Sequence, residues 1–260
     1  MTLNQYPLLI PLAPLIAALI TAFPFRNKIL PNYLFSWWLM IVSFLVSLLQ
    51  LVRVIQEPEF NQIVLFSWGW SLLPEVAMSV DRLSSVMMVF ISGFGVLLYR
   101  YSARYLQQDA GHDRYLTLFA LCISSLLFMV SCADFIMLFI FWQLLSWFLS
   151  LLSHNYLHGP TIKSGFRTFI ILRAGDLTFI AGIALAYHLY GTLEFNLIFA
   201  RASIDQTIFS IFGSGLQITG VTLVTILIFV GAMSKSAQIP LHMWLPDSLF
   251  APTPIHALLH

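Results

Sequence analysis

Charge is scarce in this chain. Only 9% of its 260 residues are Asp, Glu, Lys or Arg, against about 25% in a soluble domain. Cysteine is scarcer still, with Cys122 and Cys132 alone. Ten residues apart on one expected helix, they stand about 15 Å from each other and cannot pair. Neither has metal-ligand spacing, so both read as packing residues and say nothing about redox compartment. The chain has no glycine-rich nucleotide loop, no cysteine cluster for iron–sulfur and no haem motif. It is therefore expected to hold no cofactor and no metal. Any redox chemistry belongs to a partner, and nucleic acid is not expected as one. The in–out alternation of a membrane barrel is missing too.

Long apolar runs take the place of all these. Hydrophobic residues make up 59% of the chain, in stretches of about 20 residues, each able to cross about 30 Å of hydrocarbon. The pattern predicts an all-α polytopic bundle with spans at 7–25, 31–54, 82–100, 115–132, 134–153, 167–190 and 216–239, and a further helix entering at 254. The first run has no basic residue before it and no evident cleavage site after it, so it does not read as a removable signal. Residues 56–80 are too polar to span and read as an extended or hairpin segment outside the membrane. Residues 191–215 read as an amphipathic surface segment. Two regions are expected: 1–80, two spans and an extracytoplasmic segment, and 81–260, the remaining spans with the polar residues that fall inside them. Loops after odd-numbered spans carry seven cations (Arg26, Lys28, Arg100, Arg104, Arg114, Lys163, Arg167), and the other side carries three (Arg53, Arg82, Arg201). That bias predicts a multi-pass protein of the cytoplasmic (inner) membrane with its N-terminus outside.

A few polar residues fall inside the spans, where ionisable groups are costly and mark ion paths by default. Arg173 and Asp176, three apart in "FIILRAGDLTFIAGIAL", share a helix face and can pair. They either neutralise each other to lock packing or form a tunable carboxylate beside a path. Lys235 sits in "ILIFVGAMSKSAQIPLHMWLPDS", just before Pro240, which is expected to break the helix and free carbonyls. A lysine there either snorkels to an interface or is buried at a break that lines a cavity. The prolines, Trp244 and Asp247 that follow favour re-entry. A desolvated lysine can gain and lose a proton, and Asp176 is the best candidate to pair with it. Gln143, mid-helix in "FIFWQLLSWFLSLL", needs a hydrogen-bond partner. His256 and His260, four apart, share a helix face and suit a proton relay or plain hydrogen bonding; no third ligand makes them a metal site. Asp81 and Asp134 read as helix-capping acids.

Together these residues resemble the proton-conducting antiporter-like family. It includes the large antiporter-like subunits of respiratory complex I and of multisubunit sodium/proton antiporters, and DabB, the membrane subunit of two-component inorganic carbon pumps. The likeness runs from "SVDRLSSVM" at 79–87 to His260 and is most specific in "KSAQIPLHMWLPDSLFAPTPIHALLH". It implies a broken-helix lysine at Lys235, a turn at Pro252-Thr253-Pro254 and a helix histidine at His260. The family's Arg-x-Gly-Asp falls on Arg173 to Asp176, and Arg167 stands where lysine is more usual. Complex I and antiporter members have Trp-Glu where this chain has Trp142-Gln143, and glutamine cannot titrate. His256 replaces a small residue.

The resemblance implies a cation-translocating subunit, proton being the expected ion, and a transporter rather than an enzyme by itself. The implied proton path is Lys235, Asp176, Arg173, His260, His256 and Gln143. Gln143 tilts the reading towards inorganic carbon uptake with a DabA-like peripheral zinc partner. The alternative is a subunit of NADH-quinone oxidoreductase or of a sodium/proton antiporter; a third possibility is a scaffold whose polar pairs only hold helices together. Because family members are about twice as long, the chain is expected to be a fragment.

Overall fold

A computed structural model describes residues 6–22, 32–56, 61–66, 76–109, 111–153, 159–205, 207–211, 216–247 and 253–259. After a short turn at Tyr6–Leu8, the order is α1 Leu9–Ala22, α2 Asn32–Gln56, β1 Asn61–Phe66, β2 Val76–Val80, α3 Arg82–Tyr105, α4 His112–Val130 and α5 Phe135–Ser153. Then come α6 Gly159–Tyr190, α7 Phe195–Ala202, β3 Ile208–Ile211, β4 Leu216–Thr219, α8 Gly220–Lys235, α9 Trp244–Asp247 and α10 Thr253–Leu259. The helical bundle read from the sequence is what forms. Five helices, α2 to α6, are long and apolar enough to cross a membrane, and α1 and α8 are shorter apolar helices. The seventh expected span is cut at both ends, by strand β4 before it and by a helix stop at Lys235 after it.

Local chemistry sets the helix ends. Asp81 accepts from the Ser84 amide at 2.7 Å while the Asp81 amide donates to Ser84 Oγ at 2.8 Å, a reciprocal cap that starts α3. Asp134 accepts from the Met137 amide at 2.7 Å and starts α5. Only Ser131 to Asp134 separate α4 from α5. Cys132 lies in that turn rather than on α4, and both cysteines are buried and free. In α1, Pro14 has no N–H to offer the Ile10 carbonyl. Ser43 of α2 supplies the missing donor at 2.6 Å. Ser36 and Ser124 likewise donate to the Ala17 and Pro11 carbonyls at 3.1 and 2.9 Å. Small hydroxyls thus tie α1 to its neighbours where lipid gives helices no hydrophobic reason to associate.

The segment after α2 is an antiparallel hairpin with Asn61 opposite Val80. The segment after α6 is α7 followed by a second hairpin with Ile208 opposite Thr219. Asp205 leads into it; the Thr207 amide and hydroxyl, at 2.9 and 3.0 Å, hold its carboxyl below the usual range. The largest core cluster joins α1 to α5 through residues such as Ile10, Met40, Met88, Phe119 and Leu127. A second cluster joins α6, α7 and α8 around Ala186, Ile198 and Val224. Outward-facing Leu49, Phe90, Leu97 and Leu177 are each more than 60% exposed, as a lipid-facing surface requires.

Candidate functional site

The site forms where α5, α6 and α8 meet. The approach of α6 to α8 rests on missing side chains. A Cβ on Gly175 would lie 2.2 Å from Ser234 Cβ, and one on Gly231 would lie 2.7 Å from Phe179 Cβ. Small residues of this kind let helix backbones come together in a membrane. The seam brings the end of α8, and so Lys235, beside the α6 stretch holding Arg173 and Asp176.

Helix α8 stops at Lys235 by a means the sequence reading missed. Pro240 was expected to break it, yet the chain turns earlier. Ala237 takes a left-handed φ of 49°, and the Gln238 amide returns to the Met233 carbonyl at 3.1 Å. This is the 6→1 bond of a Schellman ending, with alanine where glycine is usual. Trp244 Nε1 donates to the Ser234 carbonyl at 2.8 Å, which satisfies one more carbonyl of the last turn. Pro240 lies beyond the cap.

Half-buried Lys235 is anchored on α5. Its Nζ donates to the Trp142 carbonyl at 3.2 Å and to Ser146 Oγ, and it lies 4.9 Å from the Trp142 ring centre. Ser146, fully buried, donates to the same Trp142 carbonyl at 2.9 Å. The Trp142 ring stacks on Phe179 with centres 4.8 Å apart. Its Nε1 donates to Asp176 Oδ1 at 2.6 Å. The other oxygen of Asp176 pairs with Arg173 at 3.3 Å, and that guanidinium lies 4.8 Å from the Phe169 ring. The order across the site is Lys235, Trp142, Asp176, Arg173.

The structure therefore joins Lys235, Asp176 and Arg173, but not by the expected direct bond. No Lys235–Asp176 ion pair forms; Asp176 is taken by Arg173 and the indole, and Lys235 contacts it through Trp142. A carboxylate and an ammonium separated by an indole keep opposite charges close while leaving the ammonium free to bind hydroxyl and carbonyl. Gln143, next to Trp142 on α5, has a buried Oε1 with no hydrogen-bond partner among the described residues. His256 is half-buried on α10, which packs near α3, where Tyr105 and Thr253 hydroxyls are 3.3 Å apart. His256 is not among the described partners of Lys235. His260, Pro252, His154 and His158 lie outside the described residues. Ser146 was missed; its signal was a hydroxyl one turn after Trp142 in an otherwise apolar helix. No group of three metal-ligating side chains occurs among the described residues.

Residues 132–260 match the family described as NADH:quinone oxidoreductase/Mrp antiporter, TM. Residues 71–116 match the one described as NADH-Ubiquinone oxidoreductase (complex I), chain 5 N-terminus. The chain belongs to the antiporter-like membrane subunit family. Among relatives of this family, it is 34% identical to a protein of Halothiobacillus neapolitanus named probable inorganic carbon transporter subunit DabB1, over 97% of this chain and 44% of that one. It is 31% identical to the chloroplastic NAD(P)H-quinone oxidoreductase subunit 5 of Zygnema circumcarinatum, over 100% of this chain and 38% of that one. The chain thus spans less than half the length of these curated relatives. Its fold matches a chain of the archaeal membrane-bound sulfane sulfur reductase complex at TM-score 0.79 and 21% identity, covering 98% of this chain and 50% of the other. It matches one of the Mrp complex from Dietzia sp. DQ12-45-1b at TM-score 0.73 and 24% identity, covering 100% and 26%.

Proposed function

We propose that this antiporter-like chain passes protons across the cytoplasmic membrane, with Lys235 taking up and releasing the proton and the Trp142–Asp176–Arg173 chain setting its charge environment. One observation carries the reading: the only polar groups holding Lys235 among the described residues are a carbonyl and a hydroxyl on a neighbouring helix, with no carboxylate locking it permanently charged. A lysine so placed can change charge within the membrane, as proton transfer requires. We further propose that the proton flow energises inorganic carbon uptake with a peripheral zinc-containing partner like DabA. The 34% identity to the DabB1 relative and the glutamine at position 143 support this. A second reading, a subunit of a quinone oxidoreductase, has support from the 31% identity to chloroplastic subunit 5.

The test uses the full-length protein with its partner, in cells matched for inserted protein, and measures uptake of labelled bicarbonate at several external pH values. Lys235→Ala is expected to lower uptake by about 100-fold, the usual weight of a positioned proton-transfer group. Lys235→Arg should be nearly as poor, because arginine keeps its proton. Full activity of the arginine variant across the pH range would return Lys235 to a structural role. Co-purification with quinone oxidoreductase subunits instead of a zinc protein would favour the second reading, and the lysine variants would then be compared by proton pumping in membrane vesicles.

A further inference from the structure

Between α2 and α3 lies a groove of about 550 Å³. Trp37, Val96 and Leu97 form its floor, and Arg100 and Arg104 stand at its head. The two arginines are one turn apart on α3 and so share a side. Arg100 lies 4.8 Å from the centre of the Trp37 ring, and that ring is fixed by its Nε1 donating to the Val96 carbonyl at 3.3 Å. Among the described residues neither arginine has a carboxylate partner. Arg100 Nη1 is buried with no hydrogen-bond acceptor, a position that is costly unless an acceptor arrives from outside. Tyr101 and Tyr105, with ring centres 5.6 Å apart, stand beside it. Below this head, Leu97, Phe94 and Phe90 are 68%, 47% and 63% exposed and fall on one face of α3.

We propose that the groove binds an anionic phospholipid, its phosphate held by Arg100 and Arg104 and its acyl chains along Leu97, Phe94 and Phe90. Two unpaired guanidiniums match an anionic headgroup in charge. The aromatic rings mark the level at which headgroups meet hydrocarbon, and the apolar face continues from there in the direction the chains would take. Free phosphate would use the arginines and leave the apolar track idle. A protein neighbour would use the track but would have to supply its own acceptor to Arg100.

The test is native mass spectrometry of the intact protein in detergent, given equal amounts of dioleoyl phosphatidylglycerol and dioleoyl phosphatidylcholine. The expected result is one phosphatidylglycerol held in preference. Arg104→Gln, at an exposed position and so without a folding cost, should weaken it about fivefold, and Arg100→Gln with Arg104→Gln by more than tenfold. Millimolar inorganic phosphate should not displace the lipid. Four results would overturn the proposal: equal retention of both lipids, wild-type retention by Arg104→Gln, displacement by phosphate, or a photo-crosslinker at position 101 capturing a protein neighbour rather than lipid.

Discussion

Trp142 serves three neighbours at once. Its carbonyl takes the lysine proton donor, its ring face lies near the ammonium, and its indole N–H reaches Asp176. Trp142→Phe keeps an aromatic ring against Phe179 but removes the N–H together with part of the buried indole. Asp176 then loses a charge-assisted bond, so the purified protein should lose about 2 kcal/mol of stability, read as a lower melting temperature. An unchanged melt would mean that the indole N–H contributes nothing. The Arg173–Asp176 pair and the lysine at the end of a span were legible in the sequence, because a spacing of three and an interrupted apolar run are local facts. The indole between Asp176 and Lys235, and the hydroxyl of Ser146 under the ammonium, were not. They depend on how α5 is rotated against α6 and α8, which no spacing within one helix records.

At the scale of elements, two features of α8 decide where its lysine stands. The first is the stop at Ala237. An L-residue in the left-handed region costs about 1–2 kcal/mol, part of which glycine gives back through its freer unfolded chain. Ala237→Gly should therefore stabilise the protein by about 0.5–1 kcal/mol in a denaturation series, leaving Lys235 in place. The proline signal misled because a proline beyond a Schellman ending and one that breaks a helix read alike in sequence. The second feature is the seam with α6. Gly175→Ala forces a Cβ onto Ser234 and should destabilise by about 1–3 kcal/mol. Adding Ser234→Gly removes the clash, so the double variant should be more stable than the two single losses added together. Strict additivity would show that the helices do not meet there.

For the whole molecule, the helix order and both connecting segments followed from the alternation of apolar runs and polar stretches. The fold of the second polar stretch, a short helix and a hairpin, was hidden because it is set by pairing of β3 with β4 and by Asp205 holding Thr207. The proposed orientation, N-terminus outside, has a direct check. A cysteine at Gln107, exposed between α3 and α4, should react with an impermeant maleimide only after cells are opened. One at exposed Thr207 should react in intact cells, and Cys122 and Cys132 are buried enough to give little background. The reverse labelling would invert the protein in the membrane.

The seam of Gly175, Ser234, Gly231 and Phe179 also has a mechanical meaning. Two helices packed this closely leave no room for a side chain between them, so α6 and α8 form one tight strut with Lys235 at its tip. The hydroxyl and carbonyl that hold that tip belong to α5. On the proposed role of Lys235, letting the lysine go means breaking contacts with α5 and none across the seam between α6 and α8.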